Sequence, residues 1–216
     1  MATARRRTRK APDARRQEIL DAAVRLATTT SLDAITIRAV ADEAGIAPGL
    51  VHHYFASREE LIADAFDNWC DRMMLATVEE TAGKSPLEQL AVFPVLNPVE
   101  QRLWWSALLT HVPAANEPAG RRLERALRLS TDYLAAVEQI IRSGVERGDF
   151  KCPDPRAAAW RLILVLDSLT LELNTLTLVD PGQAMELAGV LIDRELGIEE
   201  GAFARAIMDR KRSSTA

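Results

Sequence analysis

TIRAVADEAGIAPGLVHHYFASR, residues 36–58, decides how the chain is read. Ile37, Val40, Ala41 and Ala44 are apolar at the spacing of one helix face. Thr36 is placed as the N-cap of that helix, where its hydroxyl accepts a bond from an orphan amide. Gly45 breaks the pattern, as expected of a C′ residue with positive φ. Ile46 is apolar again, and Pro48 suits the first turn of a second short helix. Two short helices joined by a tight glycine turn make a helix-turn-helix pattern. The second helix carries His52, His53 and Tyr54 where a solvated helix usually carries Glu and Lys. That is a face built for contact.

Working outward, residues 12–29 predict a helix with Ile19, Leu20, Ala23, Val24, Leu26 and Ala27 on one stripe. Three threonines and Ser31 end it, because short hydroxyl side chains favour turns and caps. On the other side, Ser57-Arg58-Glu59-Glu60 is a capping box that starts a long helix reaching about residue 81. Leu61, Ile62, Ala65, Phe66, Trp69, Met73 and Val78 are expected on its buried face. This helix leaves the N-terminal head and enters the body of the chain.

The formal net charge of -4 argues at first against a polyanionic partner, but its distribution reverses that reading. Residues 1–58 hold 10 Arg/Lys against 6 Asp/Glu, and the remainder holds 17 against 25. A basic head on an acidic body fits a DNA-binding module fused to a body with another task. Residues 1–11 include Arg5, Arg6, Arg7, Arg9 and Lys10, which fit a solvated tail or an arm that follows phosphates. The isolated Cys70 and Cys152 fit a reducing compartment. The Arg-rich start lacks the apolar core of a secretory signal, and residues 157–171 are too short and too charged to span a bilayer. A cytoplasmic protein without membrane contact is expected.

The body reads as helices throughout. Short ones are expected at residues 85–96 and 98–111 and a long one at 119–147, stopped by Gly148. Asp154-Pro155 and Asp180-Pro181 each place an Asp N-cap before a proline at N1, opening helices at 155–178 and 181–196. A last amphipathic helix is expected at 199–212. With no alternating apolar run, the fold class is all-α: an N-terminal three-helix helix-turn-helix domain, residues 1–58, and a C-terminal helical ligand-binding and dimerisation domain, residues 59–216.

Laid out this way, the head resembles the TetR family of bacterial transcriptional regulators from about residue 16 to residue 66. The residues that carry the resemblance are Thr36-Ile37-Arg38, then Ala41, Ala44-Gly45-Ile46, then residues 49–55, then Ser57-Arg58-Glu59-Glu60-Leu61. The body resembles the family in architecture alone. The family often has a glycine near Ser31, Ser or Thr at Ala47, Thr at Leu50, Tyr at His52 and Lys at Arg58. The absent cap at Ala47 costs about 0.5–2 kcal/mol of local helix stability.

A helix of this size fits the major groove, with side chains near its N-terminus at base edges. Pro48, Gly49, Leu50, His52 and His53 are expected to face the groove, Leu50 against a thymine methyl, with His52 and Tyr54 at bases or phosphates. Thr36, Arg38 and Arg58 sit at helix starts and suit phosphates, which set register without reading sequence. Glycine at 49 lets backbone approach DNA closely. His52 and His53 point about 100° apart on a helix and do not converge on one metal ion. His111 has no nucleophile at a recognisable spacing, and no glycine loop cradles a phosphate. Neither catalytic residues nor a cofactor are therefore expected.

Trp69, Phe93, Trp104, Trp105, Tyr133 and Trp160, with Met73 and Met74, read as core residues, and Cys70 as a packing thiol. The family architecture implies a cavity between the long helices, for which Trp69, Met73, Trp104, Trp105, Leu108, Tyr133 and the polar His111, Asn174 and Glu172 are candidate contacts. The implied effector is largely apolar. Residues 155–178 are apolar on nearly every face, so a second cover is needed besides the chain's own core. Either this helix is central in a monomer, or it forms a symmetric four-helix interface with 181–196 of a second copy. The resulting expectation is a homodimeric repressor, bound to double-stranded operator DNA and released when effector moves the helix of residues 57–81. An activator, a ligand-independent regulator, an α-helical enzyme or a protein-binding module are the alternatives.

Overall fold

The computed structural model describes residues 11–30, 34–92, 103–104, 117–172, 178 and 180–213. Among these the fold is all-α, without a strand. The helices are α1 (Pro12–Thr29), α2 (Ile37–Ala44), α3 (Pro48–Tyr54), α4 (Arg58–Thr81), α5 (Pro86–Val92), α6 (Glu117–Glu146), α7 (Pro155–Leu171), α8 (Pro181–Leu196) and α9 (Ala202–Ser213). No helix among the described residues is long and apolar enough to cross a membrane. The basic arm at residues 1–10 lies outside them.

Local chemistry sets most of the ends. Thr36 accepts from the Ala39 amide at 3.1 Å, and Gly45 ends α2 at φ 65°. Ile46 N–H then reaches back to Ala41 O at 2.9 Å, closing the turn. Ser57 caps α4 by accepting from Glu60 N at 3.0 Å. Glu60 answers one residue earlier than a standard capping box, accepting from Ala56 N at 2.7 Å. Asp154 and Asp180 cap α7 and α8 as their Asp-Pro pairs predict, accepting from Ala157 N and from Gly182 N and Gln183 N. Ser85 and Glu88 form a further reciprocal box at the start of α5, legible as Ser-x-x-Glu.

The core forms two clusters joined through α6. The first gathers Ile19, Leu20, Val40, Ala41, Val51, Phe55, Leu61, Ile62 and Phe66, and continues through Cys70 to Ala126 and Leu129 of α6. The second packs Leu90, Val137 and Ile141 with Leu162, Leu166 and Leu169 of α7, Ile192 and Leu196 of α8, and Phe203 and Ile207 of α9. Gly144 is required by a close approach, because a Cβ there would lie 2.2 Å from the Phe150 ring. Arg210 of α9 places Nε 2.6 Å and Nη2 3.1 Å from the two carboxylate oxygens of Glu80, tying α9 to the far end of α4. That contact holds the Glu80 carboxyl below its usual range.

Several expectations need correction. Val78 is exposed, not on the buried face of α4: a helix of 24 residues drifts, and its C-terminal half packs differently from its first turns. Trp160 is half exposed and joins neither core cluster among the described residues. The helix expected over 155–178 is α-helical as far as Leu171, and Leu178 is exposed and not helical. Residues 173–177 and most of the expected 98–111 helix lie outside the described residues.

Asp193 is a polar group enclosed in the body. It is 1% exposed, and its carboxylate accepts from Gly201 N at 2.6 Å and Phe203 N at 2.9 Å, capping α9 from α8. Asp193→Ala leaves one buried and one part-buried donor unsatisfied and is expected to cost about 2–3 kcal/mol in urea denaturation.

Candidate nucleic-acid interface

Helix α3 has seven residues and one side to bury. Val51 and Phe55 are fully enclosed, and Leu50 and Tyr54 are half-buried against the same cluster. Pro48, Gly49, His52 and His53 are left exposed together. His53 meets the Tyr54 ring edge-on at 5.3 Å. The outer face therefore carries two exposed imidazoles and no acidic side chain, and Arg38 on α2 is exposed as well.

Two of the expected contact residues serve the fold as well. Leu50 is packed partly inward, which limits how far it extends toward a thymine methyl. Arg58 is engaged inside the chain: its Nε donates to Ile35 O at 2.6 Å, tying the first turn of α4 to the segment before α2. Thr36 uses its oxygen as a cap acceptor, and that bond leaves its hydroxyl proton for another partner. Ala47 provides no side-chain cap to α3.

Gly49 has no structural reason inside the chain. Its φ is not in the left-handed region, and a Cβ built there meets nothing within 4 Å. Glycine within a helix costs about 0.5–1 kcal/mol relative to alanine. A glycine kept at that cost on an exposed helix start fits a surface approached closely by something outside the chain.

The arginines that join α1 and α6 to α4 were not singled out from the sequence. Arg16 of α1 lies 5.0 Å over the Phe55 ring and donates to Asp64 of α4 at 2.5 Å. Arg121 of α6 reaches the other oxygen of Asp64 at 3.3 Å. Arg125 of α6 pairs with Asp71, and Cys70 is buried beside them. Burial pushes the Cys70 thiol up to about 12, so it is not a nucleophile near neutral pH. The spacing of Asp64, Asp67 and Asp71, and of Arg121 and Arg125, marks one charged face on each helix. Nothing in that spacing says which two helices meet.

The candidate effector residues fall into two groups. Trp69 is buried, with its ring centroid 5.7 Å from Phe66, and Met73 and Trp104 pack against the same first cluster. Tyr133 packs instead against the second cluster, and burial together with the charge of Asp167 pushes its hydroxyl well above the usual range. Glu172 is half-buried at the end of α7. Phe93, Trp105, Leu108, His111 and Asn174 lie outside the described residues. Among the described residues no group of three His, Cys, Asp or Glu is placed to hold a metal ion.

Residues 19–65 match the family model of bacterial regulatory proteins, tetR family. The chain is 32% identical over 136 residues to the HTH-type transcriptional regulator BetI of Brucella anthropi, covering 58% of this chain and 69% of that protein. It is 37% identical over 81 residues to the HTH-type transcriptional repressor KstR2 of Mycobacterium tuberculosis, covering 36% and 40%. Its fold is similar to a transcriptional regulator from Saccharomonospora viridis in complex with choline, with TM-score 0.71, 19% identity and coverage of 85% and 98%. The regulator FadR of Bacillus subtilis in complex with stearoyl-CoA is similar at TM-score 0.55, with 20% identity and coverage of 85% and 99%.

Gly49→Ala separates folding from recognition. Thermal denaturation is expected to show equal or slightly higher stability, by up to about 1 kcal/mol. Fluorescence anisotropy with target DNA is expected to show affinity lowered at least about tenfold, because the methyl holds the backbone off the duplex.

Proposed function

The chain belongs to the tetR family of bacterial regulatory proteins, and on that premise we propose that this DNA-binding transcriptional regulator is a cytoplasmic homodimeric repressor released from its operator by a small, largely apolar effector. The observation that carries the DNA-reading part is the outer face of α3, where Pro48, Gly49, His52 and His53 are exposed on a helix whose other side is core. Such a helix enters a major groove with its first residues at base edges, while Arg38 and the Thr36 hydroxyl contact phosphates.

The dimer reading is supported by α7 and α8. Trp160, Leu164, Leu187 and Leu191 are 50–60% exposed on these two helices, which pack side by side and are joined by the Arg161–Glu195 fork at 2.8 and 2.5 Å. Both helices thus turn apolar side chains outward while the opposite sides fill the second core cluster. A second copy covers that surface and makes a four-helix interface over residues 155–171 and 181–196. Two copies of α3 then meet successive major grooves about 34–36 Å apart.

The effector is assigned to the body, against Trp69, Met73 and Trp104 on the side of the first cluster, with Trp105, Leu108, His111, Tyr133 and Asn174 as further proposed contacts. Choline and stearoyl-CoA, bound by two proteins of this fold, differ greatly in size and charge. The fold therefore leaves effector chemistry to the individual side chains. An effector weakens DNA binding only through its different affinity for the two states, and about 1–3 kcal/mol of coupling changes DNA affinity 5–150-fold.

Binding to a labelled duplex taken from upstream of the protein's own gene tests this function. Affinity is expected to fall at least about a hundredfold between 50 and 200 mM salt. A salt-insensitive interaction, or equal affinity for a shuffled duplex, would count against a sequence-reading regulator. Leu164→Glu combined with Leu191→Glu is expected to give monomers in sedimentation velocity at micromolar concentration, with DNA affinity lowered by about tenfold or more.

A further inference from the structure

We propose that Asp64 is a positioning residue for α3, transmitting the placement of α6 in the body to the DNA-facing helix through Arg16. This rests on the reading of α3 as the DNA-contacting element.

One carboxylate serves two arginines from two different helices. Its Oδ2 accepts from Arg16 Nη2 at 2.5 Å, and its Oδ1 accepts from Arg121 Nη1 at 3.3 Å. Arg16 belongs to α1 of the head and Arg121 to α6 of the body. The Asp64 side chain is only 15% exposed, whereas both arginines are far more open to solvent. The enclosed carboxylate is thus the fixed member, and the arginines are the movable ones.

Arg16 does not stop at Asp64. Its guanidinium lies 5.0 Å from the centroid of the Phe55 ring, within cation–π range. Phe55 is the C-cap of α3, and its amide closes that helix by donating to Val51 O at 3.0 Å. The line from Arg121 to Asp64 to Arg16 to Phe55 therefore runs from the body to the end of the DNA-facing helix in three contacts. It touches none of the residues on the outer face of α3.

A carboxylate held at both oxygens has one orientation. When α6 carries Arg121 away, Asp64 loses the contact that orients Oδ1 and is able to turn about its side-chain bonds. Arg16 then loses its fixed partner and its seat on Phe55. Loosening at Phe55 frees the last turn of a helix of seven residues that already lacks a side-chain cap at its other end. The body thus controls how firmly α3 is presented without any change in the DNA-contacting residues.

The test uses the full chain as wild type, Arg121→Gln, Arg121→Lys, Asp64→Asn and the Asp64→Asn/Arg121→Gln pair. Hydrogen exchange of the free protein is followed at amides 50–55, and affinity is measured on a duplex selected from a random pool by the wild type. Arg121→Gln is expected to speed exchange at 50–55 and weaken DNA binding, each about fivefold. Arg121→Lys is expected to restore both to within about twofold, since an ammonium still reaches Oδ1. In the Asp64→Asn background Arg121→Gln is expected to add nothing further, because its effect runs through that carboxylate.

Three results would overturn the proposal. One is wild-type exchange at 50–55 in Arg121→Gln. Another is an undiminished Arg121→Gln effect in the Asp64→Asn background. The third is a salt slope lower by about one unit in Arg121→Gln, which marks a lost phosphate contact instead. The exchange measurement needs no DNA. A wild type that selects no duplex therefore counts against the DNA-reading function, while unresponsive exchange counts against the Asp64 line alone.

Discussion

Helix α4 has to pack against the head and against α6 with the same apolar face, and the rest of the molecule follows from that constraint. Leu61, Ile62, Ala65 and Phe66 close the cluster under α1, α2 and α3. Cys70 and Trp69 extend the same cluster to Ala126 and Leu129 of α6. Burying each large side chain contributes about 1.5–3 kcal/mol, so the apolar face decides where α4 lies. Its far end is held by Arg210 of α9 through Glu80. A rod fixed in this way passes movement at one end to the other, because close-packed interiors do not absorb strain gradually.

The charges between α4 and its neighbours are of a different order. Arg16, Arg121 and Arg125 reach Asp64 and Asp71 from partly exposed positions, and pairs of that kind contribute about 0–1 kcal/mol each. They do not hold the fold together. Their weight is comparable to the coupling energies that separate two states of a regulator. Apolar packing provides permanence, and the ion pairs provide contacts that can be exchanged.

Among the described residues, α3 on one side and α7 with α8 on another carry residues that the chain's own packing does not use. On α3 it is Gly49, where a side chain meets nothing. On α7 and α8 it is the outward Trp160, Leu164, Leu187 and Leu191. Each departs from what a solvated helix favours, and in opposite senses: too little side chain on one, too much apolar surface on the other. The proposed function accounts for both, with close backbone approach to DNA for the first and a second copy of the chain for the second. These are the two partners that a symmetric DNA-binding dimer needs.

Much of this was legible one residue at a time. Thr36, Ser57, Asp154 and Asp180 cap where their local chemistry places them, and Gly45, Gly148 and Gly197 take positive φ at helix ends. Caps and turns depend on neighbours within four residues, which a linear sequence displays in full. The outward face of α3 was legible for the same reason, since Val51 and Phe55 fall one turn apart. What periodicity could not tell was which apolar residues are inward and which charges meet. Trp160 and Val78 carry the same apolar signal as Leu162 and Phe66, yet they are exposed. The Arg16–Asp64–Arg121 contact joins residues 48 and 57 positions apart. Sequence alone therefore determined most of the described helices, their capped ends and the exposed side of α3, because those rest on local hydrogen bonding and helical period. Only the tertiary structure decided which face of each helix is covered and which arginine finds which carboxylate, because those depend on how the helices cross.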